Sequence, residues 1–342
     1  MTTTPYSQAD QAVASPDLAA QHRHRRHRRW MPGVIVAGIV AVQALFALCL
    51  GYPLLHAAPH EVPIGIAGPP AAVSQLSARL ESQHGAFDVH RFSGPAAARA
   101  AIRDRDIDGA LVVSPRGPQL LVASASGADL SGLLTTEAQG LGGHHPVPVT
   151  DLVPAPRRDP QEVGALATLL PLILISLALG AALAHTERRA RRRLGWCAAA
   201  SLVAGLGVCW VAAGLGTFTG SYWADAGVLA LLVFGLSSTS SGLVSARALR
   251  PLEGLFALTM ICLGIPSSGA LVSAALLAEP WRTVGPYLPP AAALDVLRGI
   301  TFFGGAATAG PLAILACWSV LGVLLVAAGS AATRASERRR TS

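Results

Sequence analysis

Six long apolar runs, separated by polar and arginine-rich links, set the hydropathy of this chain. They are Gly33–Tyr52, Val163–Ala184, Gly195–Gly216, Ala226–Ala246, Gly254–Leu276 and Gly310–Ser330. A helix rises 1.5 Å per residue, so about 20 apolar residues cover a hydrocarbon core of ~30 Å. Each run has about that length and none holds a charged side chain between its ends. The pattern predicts six membrane-crossing helices.

A different pattern fills residues 53–162. Val62–Ala67 is rich in β-branched residues and is broken by Gly68-Pro69-Pro70. Ala71–His84 sets Val73, Leu76 and Leu80 at helical spacing, and Phe87–Phe92 alternates like a half-buried strand. Pro95 opens a helix over Ala96–Arg105. Ala110–Val113 and Gln119–Ala123 read as strands around the turn Gly117-Pro118, and Asp129–Leu141 reads as a helix. The order β-α-β-α-β-β-α predicts a small α/β domain, and Pro146–Pro160 is expected to return the chain to the membrane in extended form.

The expected fold class is therefore mainly α: a six-helix transmembrane bundle with a small extracytoplasmic α/β domain inserted between spans one and two. Residues 1–32 are expected to be a disordered, basic cytoplasmic N-terminus, 33–52 the first span and 53–162 the outside domain. Residues 163–330 would form a five-helix region with a re-entrant or interfacial segment at 280–309, and 331–342 a basic cytoplasmic tail.

Charge orients this layout. Arg23, Arg25, Arg26, Arg28 and Arg29 precede the first span, and Arg188, Arg189, Arg191, Arg192 and Arg193 link the second and third. Arg247 and Arg250 link the fourth and fifth, and Arg334, Arg338, Arg339 and Arg340 follow the sixth. With six crossings these places share one side, whereas the loops Thr217–Asp225 and Leu277–Ala309 hold only Arg282 and Arg298. The positive-inside rule makes the arginine side cytoplasmic. A multi-pass protein of the inner (plasma) membrane with both termini inside is expected.

Composition narrows the chemistry. Hydrophobic residues are 52% of the chain, only 13% are charged, and mean hydropathy is +0.48. The net charge of +7 sits beside the apolar runs, where it anchors the chain to anionic lipid rather than to nucleic acid. Every basic residue other than histidine is arginine. Without a lysine there is no conventional P-loop and no Schiff-base mechanism. All five cysteines lie in or at the end of apolar runs, so no disulfide framework is expected outside.

No catalytic residue, cofactor site or metal site is expected, nor an enzyme. Asp104, Asp106 and Asp108 alternate with Arg103 and Arg105 as a solvated charge run, and His144–His145 reads as a loop tip. His22, His24 and His27 belong to a basic anchor, and Asp225 and Asp295 are expected at headgroup level. The third run is dense in glycine, alanine and serine, which favours close helix packing or a dimer contact. Ser237–Ser241 in the fourth run either lines a pathway or bonds back to its own helix. The helix predicted at Ala291–Phe303 is too short to span and is expected at the outer leaflet.

One run of residues adds a family likeness. Ile265-Pro-Ser-Ser-Gly269, Glu279-Pro-Trp-Arg282, Gly285-Pro-Tyr-Leu-Pro289, Ala293-Leu-Asp-Val-Leu-Arg-Gly299 and Phe302-Phe303-Gly304 stand in one stretch. With the segment Ala97–Val113 and the order of spans, this resembles the type-2 permeases of ATP-binding-cassette (ABC) exporters. The likeness is to the YhgE/phage-infection-protein-like subgroup, and in layout it covers about Trp30 to Ser330. It implies a permease half that dimerises with a like or unlike half and works with a separate ATPase subunit. That agrees with the missing lysine. It also implies an ATPase-coupling loop at Glu187, Arg188, Arg189, Arg191, Arg192 and Arg193, and a re-entrant segment marked by Pro266, Trp281, Arg282, Pro289, Asp295 and Arg298. It names no substrate. A non-transporting scaffold or sensor whose outside domain binds a partner is the alternative. A proton-driven exporter would require carboxylates buried in the spans, and the six runs hold none.

Overall fold

The structure is a computed structural model. It describes residues 16–341 apart from 84, 116, 143–145, 157–158, 160–162, 218–219 and 247. The side chains of residues 16–32, 35, 141–142 and 332–341 also fall outside the description. The first fifteen residues, the arginines and histidines of His22–Trp30, Arg247, His144–His145 and the tail arginines from Arg334 on are therefore beyond it. The chain divides into two units, Met1–Leu48 and Cys49–Ser342. The first is the greater part of helix α1 (Pro16–Leu55), whose apolar portion Val36–Leu55 contains most of the expected first span.

The second unit begins with a five-stranded sheet. Its strands are β1 (Val62–Ala67), β2 (Phe87–Phe92), β3 (Gly109–Ser114), β4 (Gly117–Val122) and β5 (Val149–Asp151), in the order β2-β1-β3-β4-β5. The pairs β1–β2, β1–β3 and β4–β5 are parallel, and β3–β4 is an antiparallel hairpin. Helices α2 (Pro70–Glu81), α3 (Pro95–Arg103) and α4 (Ala128–Gly142) fill the connections. Successive strand residues point to opposite faces. Val62, Ile64, Ile66, Leu111, Leu120 and Val122 accordingly join Val73 and Leu80 of α2 and Leu130 and Leu134 of α4 in one core. Ala67, Ala110, Val112 and Leu121 join Ala98, Ala101 and Ile102 of α3 in a second. A sheet buried on both faces follows. All seven predicted elements are present, and β5 is an additional strand within the proline-rich stretch.

The helices α5 (Val163–Thr186), α6 (Ala190–Leu215), α7 (Tyr222–Ser245) and α12 (Ala309–Thr341) follow the expected second, third, fourth and sixth runs. α7 is the central helix and packs against α5, α6 and α12. Each neighbour presents a glycine to it. A Cβ at Gly180 of α5 would overlap the carbonyl oxygen of Ser237. One at Gly205 of α6 would press on the Ala226 carbonyl, and one at Gly322 of α12 on Ser238. Backbones meet where the side chain is absent, as helix packing in lipid requires.

The fifth run is where expectation and structure part. Gly254–Leu276 is not one continuous helix and is not among the five helices long and apolar enough to cross a membrane. Instead α8 (Arg250–Thr259) passes through a π-helical turn at Met260–Gly264 into α9 (Ile265–Ser267), and the helix stops there. Gly269 follows at φ +79°, a backbone region that glycine enters without strain. Beyond it Val272, Leu276, Leu277 and Trp281 lie in the core under the sheet, with Val62 and Leu130. The last third of the expected span is apolar because it is buried in protein. Short helices α10 (Trp281–Val284) and α11 (Pro289–Phe302) complete the segment, and Phe303 enters the core on the other face of the sheet.

Candidate functional site

The two residue groups expected to matter lie on different parts of the fold. Only three residues, Glu187–Arg189, separate α5 from α6. Arg188, Arg189, Arg191 and Arg192 are exposed, and Glu187 is half-buried and accepts the backbone N–H of Arg189 at 3.0 Å. Arg193 differs from them. It is 3% exposed and donates from Nη1 to the Ser241 carbonyl of α7 at 3.4 Å, while its Nε has no partner among the described residues. The basic loop is thus four solvated guanidiniums and a fifth turned into the bundle.

Ser237–Ser241 on α7 is completely enclosed. Ser237 and Ser238 bond back to the Phe234 carbonyl, the commoner expectation for hydroxyls in a helix. Thr239 and Ser240 instead reach other helices. Thr239 donates to the Trp318 carbonyl of α12 at 3.4 Å, and Ser240 lies 2.9 Å from the Leu177 carbonyl of α5 and 2.7 Å from Glu253 Oε1 of α8. Four helices therefore converge on this run through Arg193, Ser240, Glu253 and their backbone partners, and Thr239 adds α12 as a fifth. At the opposite end of α7, Asp225 is 1% exposed beside the Thr301 hydroxyl, and its Oδ1 has no partner among the described residues. Asp225, expected at headgroup level, is enclosed by protein rather than exposed at the surface of α7. The bundle also holds the carboxylates that the six runs lacked. Asp225 and Glu253 each stand one residue before a run begins, so a scan for uncharged stretches steps over both.

The segment from Pro266 to Phe303 binds the bundle to the sheet. Pro266 has no N–H for the Cys262 carbonyl one turn earlier, and the indole Nε1 of Trp281 donates to that oxygen at 2.9 Å. Ser267 donates to the Trp281 carbonyl at 3.0 Å. Arg298 is buried and its Nη2 donates to the Gly269 carbonyl at 2.7 Å, which pins the turn that ends α9. Pro289 is buried at the start of α11. Three polar contacts then tie this segment to the sheet region. Asp295 pairs with Arg105, whose guanidinium also lies 5.3 Å from the centre of the Phe303 ring. Asp129 accepts the Ser273 N–H at 2.7 Å, and Arg282 pairs with Glu61 at 3.0 Å and with Glu279 at 3.2 Å.

Electrostatics follow from this crowding. Burial pushes the Asp108 carboxyl up to about 6, against the pull of Arg105 and Arg298 and with a small push from Asp295. The Glu279 carboxyl is held below its ordinary value by the Thr283 hydroxyl and then by Arg282. The Arg282 guanidinium is held above its own, chiefly by Glu61. Of the predicted re-entrant residues, Pro266, Trp281 and Arg298 form one buried knot, while Arg282 and Asp295 face the sheet region. Sequence reasoning missed Arg105, Asp129 and Glu61, whose partners lie more than a hundred residues away. The charge run at 103–108 contains one of the contacting groups, Arg105, and the desolvated Asp108, so it is not simply a solvated turn. No group of three or more histidine, cysteine, aspartate or glutamate side chains able to hold a metal exists among the described residues.

Five helices long and apolar enough to cross a membrane define a multi-pass membrane protein. No protein-family model, no curated protein and no solved structure matches the chain.

Proposed function

We propose that the chain is the permease half of an ABC-type exporter, moving a substrate across the inner membrane with energy from a separate ATPase subunit. The observation that carries this reading is the α5–α6 connection. It offers four exposed guanidiniums to a partner, and the next arginine, Arg193, touches the backbone of the central helix. A push on that loop is delivered to α7, against which the other long helices pack. Clustered arginines suit an acidic groove on the partner. The order of one apolar helix, a helix-flanked sheet and further apolar helices with an interrupted fifth supports the same reading, as does the absence of lysine. Six crossings also belong to it: Arg250–Ser267 is helical throughout and rises about 27 Å at 1.5 Å per residue, enough to cross with help from its flanks. Both termini are then cytoplasmic and the sheet lies outside.

The test is affinity purification of the tagged, full-length protein from its native membranes. A Walker-type ATPase should accompany the wild type. It should be lost with Arg188, Arg189, Arg191 and Arg192 all changed to alanine, in protein that still melts like the wild type in detergent. Wild-type protein that brings no ATPase, or a fourfold variant that keeps it, overturns the reading. The buried carboxyl of Asp225 and the half-buried one of Glu253, bonded to Ser240, favour a proton-coupled exporter as the second reading. In that case transport stops on adding a protonophore and no ATPase is found.

A further inference from the structure

Where the sheet region meets the end of α11 there is a cavity of about 390 Å³. It is lined by Arg103, by Leu152–Pro154 after β5, and by Thr301–Phe303. That volume is in the range of small-molecule sites. Two observations fix its depth. Phe303 stands six residues before Ala309, where the membrane-crossing part of α12 begins. Thr301 lies against Gly220, in the turn between α6 and α7, so closely that a Cβ there would meet the Thr301 Cα at 2.9 Å. Three apolar helices thus end or begin at the level of the cavity. Trp223 at the start of α7 is 76% exposed, as an interface-belt aromatic is. With these helices across a membrane, the cavity would open at its headgroup layer.

Its walls have the two-sided chemistry of that layer. Phe302, Phe303, Leu152 and Val153 are apolar, and Arg103 is an exposed cation at the end of α3. Arg99 stands one helical turn earlier on the same face of α3. Neither has an ion-pair or hydrogen-bond partner among the described residues, whereas the neighbouring Arg105 is taken by Asp295. An unpaired guanidinium in the same cavity wall as Phe302 and Phe303 fits a phosphate ester joined to hydrocarbon.

We propose that this cavity is a docking site for an anionic phospholipid, with the headgroup phosphate on Arg103, supported by Arg99, and the glycerol and upper acyl chains on Phe302 and Phe303. The proposal needs only that α12 crosses a membrane and stands apart from the permease reading. The bound lipid would fill the seam between sheet and bundle beside the Arg105–Asp295 pair.

The experiment uses full-length protein in detergent micelles and a short-chain phosphatidylglycerol, with phosphatidylcholine of the same chains and inorganic phosphate as comparisons. Phosphatidylglycerol should bind the wild type with saturation, and Arg103→Glu should weaken it roughly tenfold, because an attraction is replaced by a repulsion. Arg103→Lys should keep most of the affinity. Both variants should melt with the wild type in detergent alone, since Arg103 is exposed. A photoreactive phosphatidylglycerol should label peptides containing Leu152–Pro154 or Phe302–Phe303. Equal binding of phosphatidylcholine, an unchanged affinity in Arg103→Glu, or labelling confined to other peptides overturns the proposal. Inorganic phosphate binding as tightly as the lipid overturns it too, since the cavity would then be a plain anion site.

Discussion

At the scale of single residues, one missing N–H organises the end of the fifth segment. Pro266 leaves the Cys262 carbonyl without its helical partner, and Trp281 supplies a donor from nineteen residues away. An unsatisfied buried carbonyl costs about 1–3 kcal/mol. Trp281→Phe keeps an aromatic ring and loses the donor together with part of the buried volume. It should lower stability by roughly 1–2 kcal/mol, read as a lower melting temperature in detergent. Asp108 makes a second residue-scale prediction. Its value of about 6 in the fold lies above the ordinary 3.8. Between those values the folded protein holds a proton that the unfolded chain has released. Stability from this group is therefore greatest below pH 4, falls as pH rises to about 6, and is level above that. Asp108→Asn should remove this slope and raise stability at pH 7–8 by on the order of 1–2 kcal/mol. Melting curves from pH 4 to 8 check it. A variant that keeps the wild-type slope would move the titration to another group.

Among the elements, α7 is where lipid-phase packing is tightest. Glycines on three helices admit its backbone, and its hydroxyls bond to α5, α8 and α12. Gly322→Leu places a side chain where Ser238 already sits, and overpacking of this kind costs about 1–3 kcal/mol or more. The variant should express poorly or melt far below the wild type. Gly207→Leu, with open space around it, should behave like the wild type in the same assay. The same elements show what the sequence makes legible. A β-rich run ended by Gly68-Pro69-Pro70 placed β1, and strand alternation placed β2, at their observed limits, because both patterns survive without tertiary information. Apolar length found α1, α5, α6, α7 and α12 for a similar reason. Hydropathy could not separate residues 270–276 from a span, because Val272 and Leu276 are as apolar under a sheet as in lipid. Nor could it tell Arg193 from Arg192, since exposure in a run of arginines is decided by helix phase against a neighbour not yet placed. β5 escaped notice because three residues among prolines carry too little pattern.

For the molecule as a whole, the number of crossings has a direct readout. If α8 and α9 cross, the chain traverses the membrane six times and a reporter fused after residue 342 shares a side with one fused before residue 1. If they do not, the two reporters report opposite sides. The expected outcome is six, with both active in the cytoplasm. The Arg105–Asp295 pair tests the tie between sheet and bundle at this scale. Both side chains are partly solvated, so a double-mutant cycle with alanine should give a coupling of about 0.5–1 kcal/mol in melting experiments. Arg105→Asp combined with Asp295→Arg should recover part of what either change alone loses.

The core beneath the sheet is completed by Val272, Leu276, Leu277 and Trp281, more than a hundred residues after β5. A growing polypeptide therefore releases β1 to β5 long before the side chains that close them have been made. Until then the half-built sheet presents an apolar cleft to its surroundings, and that interval is when a chaperone or protease would find it. An excised fragment ending near residue 155 would be fixed permanently in that unfinished condition, so it should aggregate unless a peptide covering 270–284 is supplied alongside.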